Sequence, residues 1–228
     1  MATSTRRAKA GRRAGRPSGN DLDLRARLLD AAIAQFARAG IGATSLRAIA
    51  GEAEVTPAML HYYFGDKPRL VQALVQERLL PALAPLRVRL ERAGDDPRVS
   101  IEAFVRGIGE VVARHPWLPP LWVREVLCEG GALREVLFTQ AVPGLPQLLA
   151  RRFAAAQADG RLNADLDPRL LVVSLVGLTL FPAAGAPIWR RTFGAEGLGV
   201  DVMLRHTLAL LDRGVGATGS AAGSGEAA

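Results

Sequence analysis

The sequence contains few of the side chains from which disulfide frameworks and metal centres are built. Its 228 residues include one cysteine and three histidines. One cysteine excludes an intramolecular disulfide framework, and so few cysteine and histidine side chains leave little for a metal site. We therefore expect no metal, no cofactor and an intracellular chain.

The sequence also lacks the motifs of common enzyme classes. It has no glycine-rich phosphate loop and no Gly-x-Ser-x-Gly elbow, and the acidic residues of its second half are scattered. His115 and His206 have no obvious partner in the sequence. We therefore expect no catalytic residue, and an enzyme with a regulatory helix-turn-helix is the least favoured alternative.

Aromatic residues and strand-like patterns are scarce. Aromatic residues make up 5% of the chain, and alternating runs of Val, Ile, Tyr and Thr are hard to find. Leucine and alanine dominate instead, which favours helices. The most apolar stretch, residues 170–184, is shorter than the roughly 20 residues that cross a bilayer, and Pro182 interrupts its end. We therefore predict an all-α fold without a membrane span.

Residues 44–67 have the pattern of two short helices around a tight turn. Four apolar residues of the first helix follow at i, i+3, i+4 and i+7: Leu46, Ile49, Ala50 and Ala53. Thr56 and Pro57 then start the second helix, in which Leu60 and Phe64 share a buried face. Helices this short are not stable alone, so they must pack against neighbours. The pattern is typical of a helix-turn-helix, whose second helix enters a DNA major groove.

The same residues resemble a known family. Thr44-Ser-Leu-Arg-x-Ile-Ala, Val55-Thr-Pro-x-x-Leu and Tyr63-Phe-x-x-Lys67 closely resemble the DNA-binding domain of TetR-family transcriptional repressors, and the resemblance runs from near Arg16 to about Val75. Two departures are visible. Glu54 stands in the turn where the family usually has Gly or Asn, so we expect strain or an altered turn there. His61 stands where Tyr is common.

The resemblance implies a division of the chain into four parts. Residues 1–19 would be a disordered basic arm, and residues 20–66 a three-helix helix-turn-helix DNA-binding domain. Residues 67–213 would form a C-terminal helical ligand-binding and dimerisation domain. Residues 214–228, rich in Gly, Ala and Ser, would be a disordered tail.

Roles at a DNA site are assigned by matching family positions and by chemistry. Hydroxyls, cations and free backbone N–H groups suit phosphates, while apolar side chains suit a thymine methyl. The candidates for phosphate contact are Arg16, Thr44, Ser45, Arg47, Thr56, His61, Tyr63 and Lys67. The candidates that face the groove are Pro57, Ala58, Met59 and Tyr62. Each of them taken singly has packing or solvation as its alternative role.

The positive charge of the chain is concentrated at its N-terminus. Of a net charge of +7, six positive charges precede Asn20 with no acidic residue between them: Arg6, Arg7, Lys9, Arg12, Arg13 and Arg16. Beside a helix-turn-helix, we favour an arm that contacts phosphates or a minor groove over a solvated tail. No apolar run follows these charges, which excludes a signal peptide.

The C-terminal half contains candidates for an effector pocket, because family members use this domain as a sensor. They are mostly apolar, with one or two polar anchors: Trp117, Trp122, Glu125, Cys128, Phe138, Phe181 and Trp189. Such residues are more often ordinary core, and Cys128 is more often a small buried hydrophobe than a redox sensor.

The last two long helices are candidates for a dimer interface. In the family they pair with their counterparts in a four-helix bundle, and a two-fold dimer presents two helix-turn-helix units to half-sites about 34–36 Å apart. The residues that we place in this interface are Ser174, Gly177, Leu178, Leu204, Leu208 and Leu211. The alternative is that both helices fill the core of the monomer.

The function that we favour is a ligand-responsive transcriptional regulator. As the resemblance implies, a homodimer would repress by binding a palindromic double-stranded DNA operator, and a small-molecule inducer would release it. We expect a cytoplasmic, nucleoid-associated protein without a membrane partner. A ligand-independent DNA-binding or nucleoid protein remains the alternative.

Overall fold

A computed structural model describes residues 19–136, 139–140 and 144–215 of the chain. These residues form helices and turns and contain no strand, which confirms the all-α prediction. Arg16 and Phe138, with most of the predicted arm and tail, lie outside the described residues.

Three helices form the N-terminal part: α1 (Gly19–Ala39), α2 (Leu46–Glu52) and α3 (Pro57–Phe64). Helix α1 buries one apolar stripe in the core: Leu29, Ala32, Ile33 and Phe36. It ends before Gly40, which adopts a φ of +89°, a conformation that glycine reaches without a Cβ penalty.

A long helical segment leads away from these three helices. It consists of α4 (Lys67–Leu74), a π-helical turn called π1 (Val75–Leu79) and α5 (Leu80–Arg92). Pro81 and Pro85 both lie within α5, so the helix continues through them. Pro81 cannot donate to the carbonyl of Glu77, and the Arg78 guanidinium donates to that carbonyl instead, at 3.2 Å.

The remaining helices make up the C-terminal part. They are α6 (Pro97–Arg114), α7 (Leu118–Trp122), a second π-helical turn called π2 (Val123–Leu127), α8 (Arg134–Val136), α9 (Leu145–Ala158), α10 (Pro168–Ala184), α11 (Ala186–Phe193) and α12 (Val200–Val215). Helix α12 continues past Asp212, so Gly214 and Val215 belong to this helix and not to a tail.

The helix that follows α6 accommodates two prolines at its start. Helix α7 begins at Leu118, and Pro119 and Pro120 occupy its first turn. Backbone N–H groups in a first turn have no partner within the helix, so prolines are tolerated there. The chain therefore turns sharply at His115 and resumes as a helix three residues later.

Three aspartates cap the starts of helices in the structure. Asp66 accepts a hydrogen bond from Arg69 N–H at 2.9 Å, Asp96 one from Arg98 N–H at 2.8 Å, and Asp167 one from Arg169 N–H at 2.8 Å. Each carboxylate satisfies a backbone donor that its helix leaves free. These caps fix the starts of α4, α6 and α10.

One continuous apolar core joins the two parts of the chain. Helix α6 lies at the centre of the C-terminal part and packs against α5, α9, α10 and α12. Helix α1 contacts α7, so the N-terminal helices rest directly on the C-terminal part. Among the described helices, none is by itself long and apolar enough to cross a membrane, and only α10 and α11 together, bent by 68°, meet that test.

Candidate nucleic-acid interface and apolar pocket

Helix α3 is held by one face and exposed on the other. Leu60 and Phe64 are buried, as predicted, and anchor the helix in the N-terminal core. Pro57, Ala58 and His61 are exposed, and 79% of Tyr62 is accessible. The exposed Tyr62 ring does not pack in the core, so it is available for contact with another molecule.

The turn between α2 and α3 contains a residue with positive φ that is not glycine. Glu54 has a φ of 56°, and it is the one non-glycine residue with positive φ in the described part of the chain. Its neighbour Val55 donates from its backbone N–H to the Ala50 carbonyl at 2.9 Å, which closes the turn. The strain predicted for a glutamate at this position is therefore present.

The start of α2 presents polar groups at the surface. Ser45 caps the helix by accepting a hydrogen bond from Ala48 N–H at 3.1 Å, and Ser45 and Arg47 are exposed. Thr44 does not belong to this surface, because only 4% of it is accessible and its hydroxyl donates to the Gly40 carbonyl at 2.6 Å. Thr44 therefore has a structural role, and a phosphate contact by its side chain is not supported.

The remaining phosphate candidates differ in their surroundings. Thr56 occupies the N-cap position of α3, but its exposed hydroxyl makes no capping hydrogen bond. The Lys67 ammonium donates to the Gly42 carbonyl at 3.0 Å, which holds it beside the start of α2. Both groups lie at helix starts, where backbone N–H groups and side chains together suit a phosphate.

Two neighbouring aromatic residues of α3 are in contact. The Tyr62 and Tyr63 rings meet edge to face with centroids 5.2 Å apart, and Tyr63 is half-buried. Met59 is also half-buried, so it presents less surface to a groove than predicted. The His61 ring nitrogen Nδ1 lies 2.7 Å from the Gly65 carbonyl oxygen, so this side chain contacts the end of its own helix.

Arg25 in α1 fixes the end of α3, and the sequence analysis missed it. Its guanidinium lies over the Phe64 ring, 4.5 Å from the centroid, and donates to the Tyr63 carbonyl at 3.3 Å. The same group pairs with Glu77 of π1, with Nε 3.2 Å from Oε2. No sequence signal links positions 52 residues apart, so only the structure could reveal this residue.

Two side-chain hydrogen bonds attach α1 to α2. Arg38 and Gln35 both donate to the Glu52 carboxylate, at 2.9 and 2.7 Å. The hydrogen bond from Arg38, followed by that from Gln35, lowers the pKa of the Glu52 carboxyl below its ordinary value. Glu52 therefore stays ionised at neutral pH.

An apolar cavity of about 520 Å³ lies inside the C-terminal part. Its walls come from α5, α6, α7 with π2, α9 and α10, and include Leu83, Phe104, Trp122, Val126, Leu149 and Val176. Arg134 is the one charged residue that lines it among those described. A largely apolar cavity of this size with few polar groups has the character of a small-molecule site.

Of the predicted pocket residues that the structure describes, only Trp122 lines this cavity. Cys128 is exposed, 70% of Phe181 is accessible, and the Trp189 indole donates to the Pro182 carbonyl at 2.8 Å. Trp117 packs edge to face with His115, with centroids 5.6 Å apart. The residues that line the cavity are mostly aliphatic, which is why their identity alone did not distinguish them from core.

Glu125 is buried but does not line the cavity. Only 5% of it is accessible, and its Oε1 accepts a hydrogen bond from the Ile41 backbone N–H at 2.8 Å. Its Oε2 accepts one from the Ala132 N–H at 3.1 Å. The prediction that Glu125 anchors a ligand was therefore wrong, since both of its oxygens are used within the protein.

Helix α10 has an exposed apolar stripe. Ser174 and Gly177 of the predicted interface lie in it, and so do three large apolar residues that the prediction omitted as interface members: Leu170, Val173 and Phe181. They follow at i, i+3, i+4, i+7 and i+11, so they share one helix face. Leu178 of the predicted interface is half-buried at the edge of this stripe.

Helix α12 turns a different face outward from the one predicted. Leu211 is buried in the core, Leu204 packs against α6 at Gly109, and Leu208 is half-buried. Among the described side chains, the large exposed apolar residues of α12 are Val202 and Leu210. The apolar pattern of α12 has two stripes, and the one that we chose covers the monomer core.

The chain is similar to known regulators in sequence and in fold. Residues 28–74 match the family described as bacterial regulatory proteins, tetR family. The HTH-type transcriptional regulator BetI of Burkholderia mallei (strain NCTC 10229) is 33% identical over 81 residues, which are 36% of this chain and 42% of BetI. The chain thus aligns with less than half the length of this curated relative.

Two solved structures share the fold across both parts. The ketosteroid transcriptional regulator KstR2 of Mycobacterium tuberculosis superimposes with a TM-score of 0.64 at 20% identity, over 84% of this chain and 94% of KstR2. The transcriptional regulator FadR from Bacillus subtilis, in complex with stearoyl-CoA, superimposes with a TM-score of 0.60 at 16% identity, over 82% of this chain and 96% of FadR. Residues 28–74 are therefore similar to bacterial regulatory proteins of the tetR family, and the described chain shares the two-part helical fold of these two structures.

Proposed function

We propose that the protein is a dimeric, sequence-specific DNA-binding repressor that a small molecule releases from its operator. The observation that carries this proposal is the exposed face of α3, which Leu60 and Phe64 hold rigidly from behind. Pro57, Ala58 and Tyr62 form a convex surface that enters a major groove. The match of residues 28–74 to the tetR family of bacterial regulatory proteins supports the assignment of this surface to DNA.

Phosphate contacts flank this surface. Ser45 and Arg47 lie at the start of α2, and Thr56 and Lys67 at the starts of α3 and α4. These groups set the orientation of α3 on the duplex without reading its sequence. The arm of residues 1–19 adds cationic contacts and makes binding strongly dependent on salt.

The exposed stripe of α10 forms the dimer interface. Leu170, Val173 and Phe181 are each more than half accessible in the single chain, which favours an arrangement that covers them. A two-fold dimer through α10 and α12 presents two copies of α3 on one side, as a palindromic site requires.

The apolar cavity binds the effector. Relatives in fold support this use, since FadR was solved with stearoyl-CoA. An effector that prefers one of two conformers shifts the protein toward it, and a coupling of about 3 kcal/mol weakens operator binding roughly 150-fold. The apolar cavity favours this proposal over a ligand-independent nucleoid protein.

Selection of bound fragments from random DNA at physiological salt, with the full-length protein, tests the proposal. We expect one palindromic sequence to be enriched. Arg47→Ala should weaken binding to it, while Arg87→Ala, an exposed arginine on α5, should not. Enrichment of no sequence would contradict a specific regulator and favour the nucleoid alternative.

The dimer is tested by sedimentation of a variant with a charge in the stripe. Phe181→Glu should sediment as a monomer and lose operator affinity, because the charge would be buried between subunits. Val99→Glu, at an exposed apolar residue of α6, should remain a dimer. A Phe181→Glu protein that stays dimeric would place the interface elsewhere.

A further inference from the structure

We propose that the Glu125 carboxylate is the joint through which occupancy of the apolar cavity controls the position of the helix-turn-helix. This inference rests on the proposed function of the cavity and concerns how the cavity is read out. It assigns to Glu125 a positioning role: the residue contacts neither DNA nor the effector.

Glu125 connects three segments of the chain. Oε1 accepts from the Ile41 N–H in the turn between α1 and α2, at 2.8 Å, and Oε2 accepts from the Ala132 N–H in the loop after π2, at 3.1 Å. The carboxylate is buried, so water does not readily replace either hydrogen bond if it breaks. Moving Glu125 therefore moves the turn that precedes α2, or leaves a buried charge unsatisfied.

The segment that carries Glu125 is also a wall of the cavity. Trp122, Val126 and Leu127 all line the cavity, and Glu125 points the other way, toward Ile41. Residues on opposite faces of one helical turn move together. A molecule that displaces Trp122 and Val126 therefore displaces Glu125.

The geometry of π2 makes this segment suited to a discrete change. A π-helical turn contains one residue more than an α-turn, and such turns are found often at functional sites. The Arg134 guanidinium donates to the carbonyl of Val126 near the end of π2, at 3.0 Å, and to that of Cys128, which directly follows π2, at 2.8 Å. Arg134 also lines the cavity, so an effector there contacts both the turn and the side chain that holds its end.

The N-terminal and C-terminal parts are closely packed where Gly40 meets Glu125. A Cβ at Gly40 would lie 2.9 Å from Arg124 Cδ and 3.2 Å from Glu125 Oε1. Behind Glu125, a Cβ at Gly131 would overlap the Glu125 carbonyl oxygen. With backbone packed closely on both sides, a displacement of Glu125 is transmitted to its neighbours.

Hydrogen exchange at the Ile41 amide tests the inference without DNA and without knowledge of the effector. The cavity is filled by substitution from α10, with Val176→Phe and, independently, Val176→Trp. We expect exchange of the Ile41 amide to rise at least roughly tenfold in both variants, as expected when a hydrogen bond to a charged acceptor is lost. The Ala48 amide, capped by Ser45, should be unchanged.

A second substitution shows whether Glu125 carries the effect. Glu125→Gln should itself raise exchange of the Ile41 amide, because a glutamine side chain has one acceptor oxygen where glutamate has two. Glu129→Gln on the same loop is the control and should leave Ile41 exchange unchanged. Added to Glu125→Gln, the filling substitution should cause no further rise at Ile41.

The outcomes separate this inference from the proposed function. Val176→Phe and Val176→Trp proteins that are folded, as shown by a cooperative unfolding transition, but keep the Ile41 amide protected would overturn the coupling through Glu125. This outcome does not depend on DNA binding. Additive effects of Val176→Phe and Glu125→Gln on Ile41 exchange would overturn the coupling as well. Absence of a palindromic site in the fragment selection would instead contradict the proposed function and leave the coupling at Ile41 standing.

Discussion

The Glu125 carboxylate accepts a hydrogen bond from the Ile41 backbone N–H at 2.8 Å, across 84 residues of sequence. This bond attaches the turn between α1 and α2 to the turn π2 in the C-terminal part. Ile41 is itself buried in the common core. The orientation of the helix-turn-helix is therefore set by directed hydrogen bonding as well as by apolar packing.

The close packing behind Glu125 predicts that Gly131 accepts no side chain. Gly131→Ala would force its Cβ against the Glu125 carbonyl, so we expect the free energy of unfolding to fall by about 1–3 kcal/mol. Gly51→Ala in α2 is the control, since the Cβ that it adds would have no other atom within 4 Å beyond its own helix backbone. It should raise stability by about 0.5–1 kcal/mol, in urea unfolding followed by circular dichroism. Equal effects of the two substitutions would contradict this packing.

The backbone of Glu54 predicts a stabilising substitution. Glu54→Gly should raise the free energy of unfolding by about 1 kcal/mol, because a φ of 56° costs a non-glycine residue about 1–2 kcal/mol and the greater freedom of unfolded glycine offsets a part. Thermal unfolding measures the change. Glu129→Gly, at an exposed residue outside the turn, should give no comparable gain.

Residues on α3 and residues beside it are predicted to affect DNA binding differently. We propose that the exposed Ala58, and the smaller accessible part of Met59, contact bases, so substitutions there should change which sequence is preferred. Lys67→Ala and Tyr63→Ala should weaken binding to all sequences by a similar factor, and Lys67→Ala should also reduce the salt dependence. Competition binding with the selected site and with single-base variants distinguishes these two effects. A change of sequence preference in Lys67→Ala would contradict its assignment to a phosphate.

The cap of α10 predicts a pH-dependent contribution to stability. The hydrogen bond from the Arg169 guanidinium, with that from its backbone N–H, holds the pKa of the Asp167 carboxyl well below its usual range. A lowered pKa in the folded state stabilises the fold above the unfolded pKa of about 3.9, and this contribution is lost as the pH falls below it. The Tm advantage of the wild type over Asp167→Asn should therefore shrink between pH 7 and pH 3.

A neighbouring aspartate controls for general effects of charge on this prediction. Asp165→Asn removes the same charge two residues away in the loop before α10. Its effect on Tm should not follow the same pH profile. If both variants lose their difference from the wild type in parallel, the pairing of Asp167 with Arg169 does not explain it.

The helix-turn-helix could be predicted from sequence because its determinants are local. The stripe from Leu46 to Ala53 and the pair Leu60 and Phe64 follow helical spacing, and the structure buries most of them. Even the strain at Glu54 was foreseeable, since the turn demands a positive φ. Local patterns of this kind need no knowledge of the tertiary fold.

The features that could not be predicted depend on contacts between distant positions. Periodicity placed Leu211 on an apolar stripe of α12, but it cannot tell whether a stripe meets the core or a second subunit. The helix through Pro81 persists because Arg78 occupies the freed Glu77 carbonyl, a side-chain contact with no sequence signature. Glu125 was singled out as polar among apolar residues, but its partner Ile41 lies in the other part of the chain.

The central claim is that two copies of α3 lie in successive major grooves of one palindromic site. Protection of guanine N7 atoms from methylation, on the selected fragment, measures this directly because N7 faces the major groove. We expect two inverted clusters of protected guanines about 10 base pairs apart, and their loss with Phe181→Glu. Binding that leaves every guanine N7 reactive would contradict the account, since α3 would then lie outside the major groove.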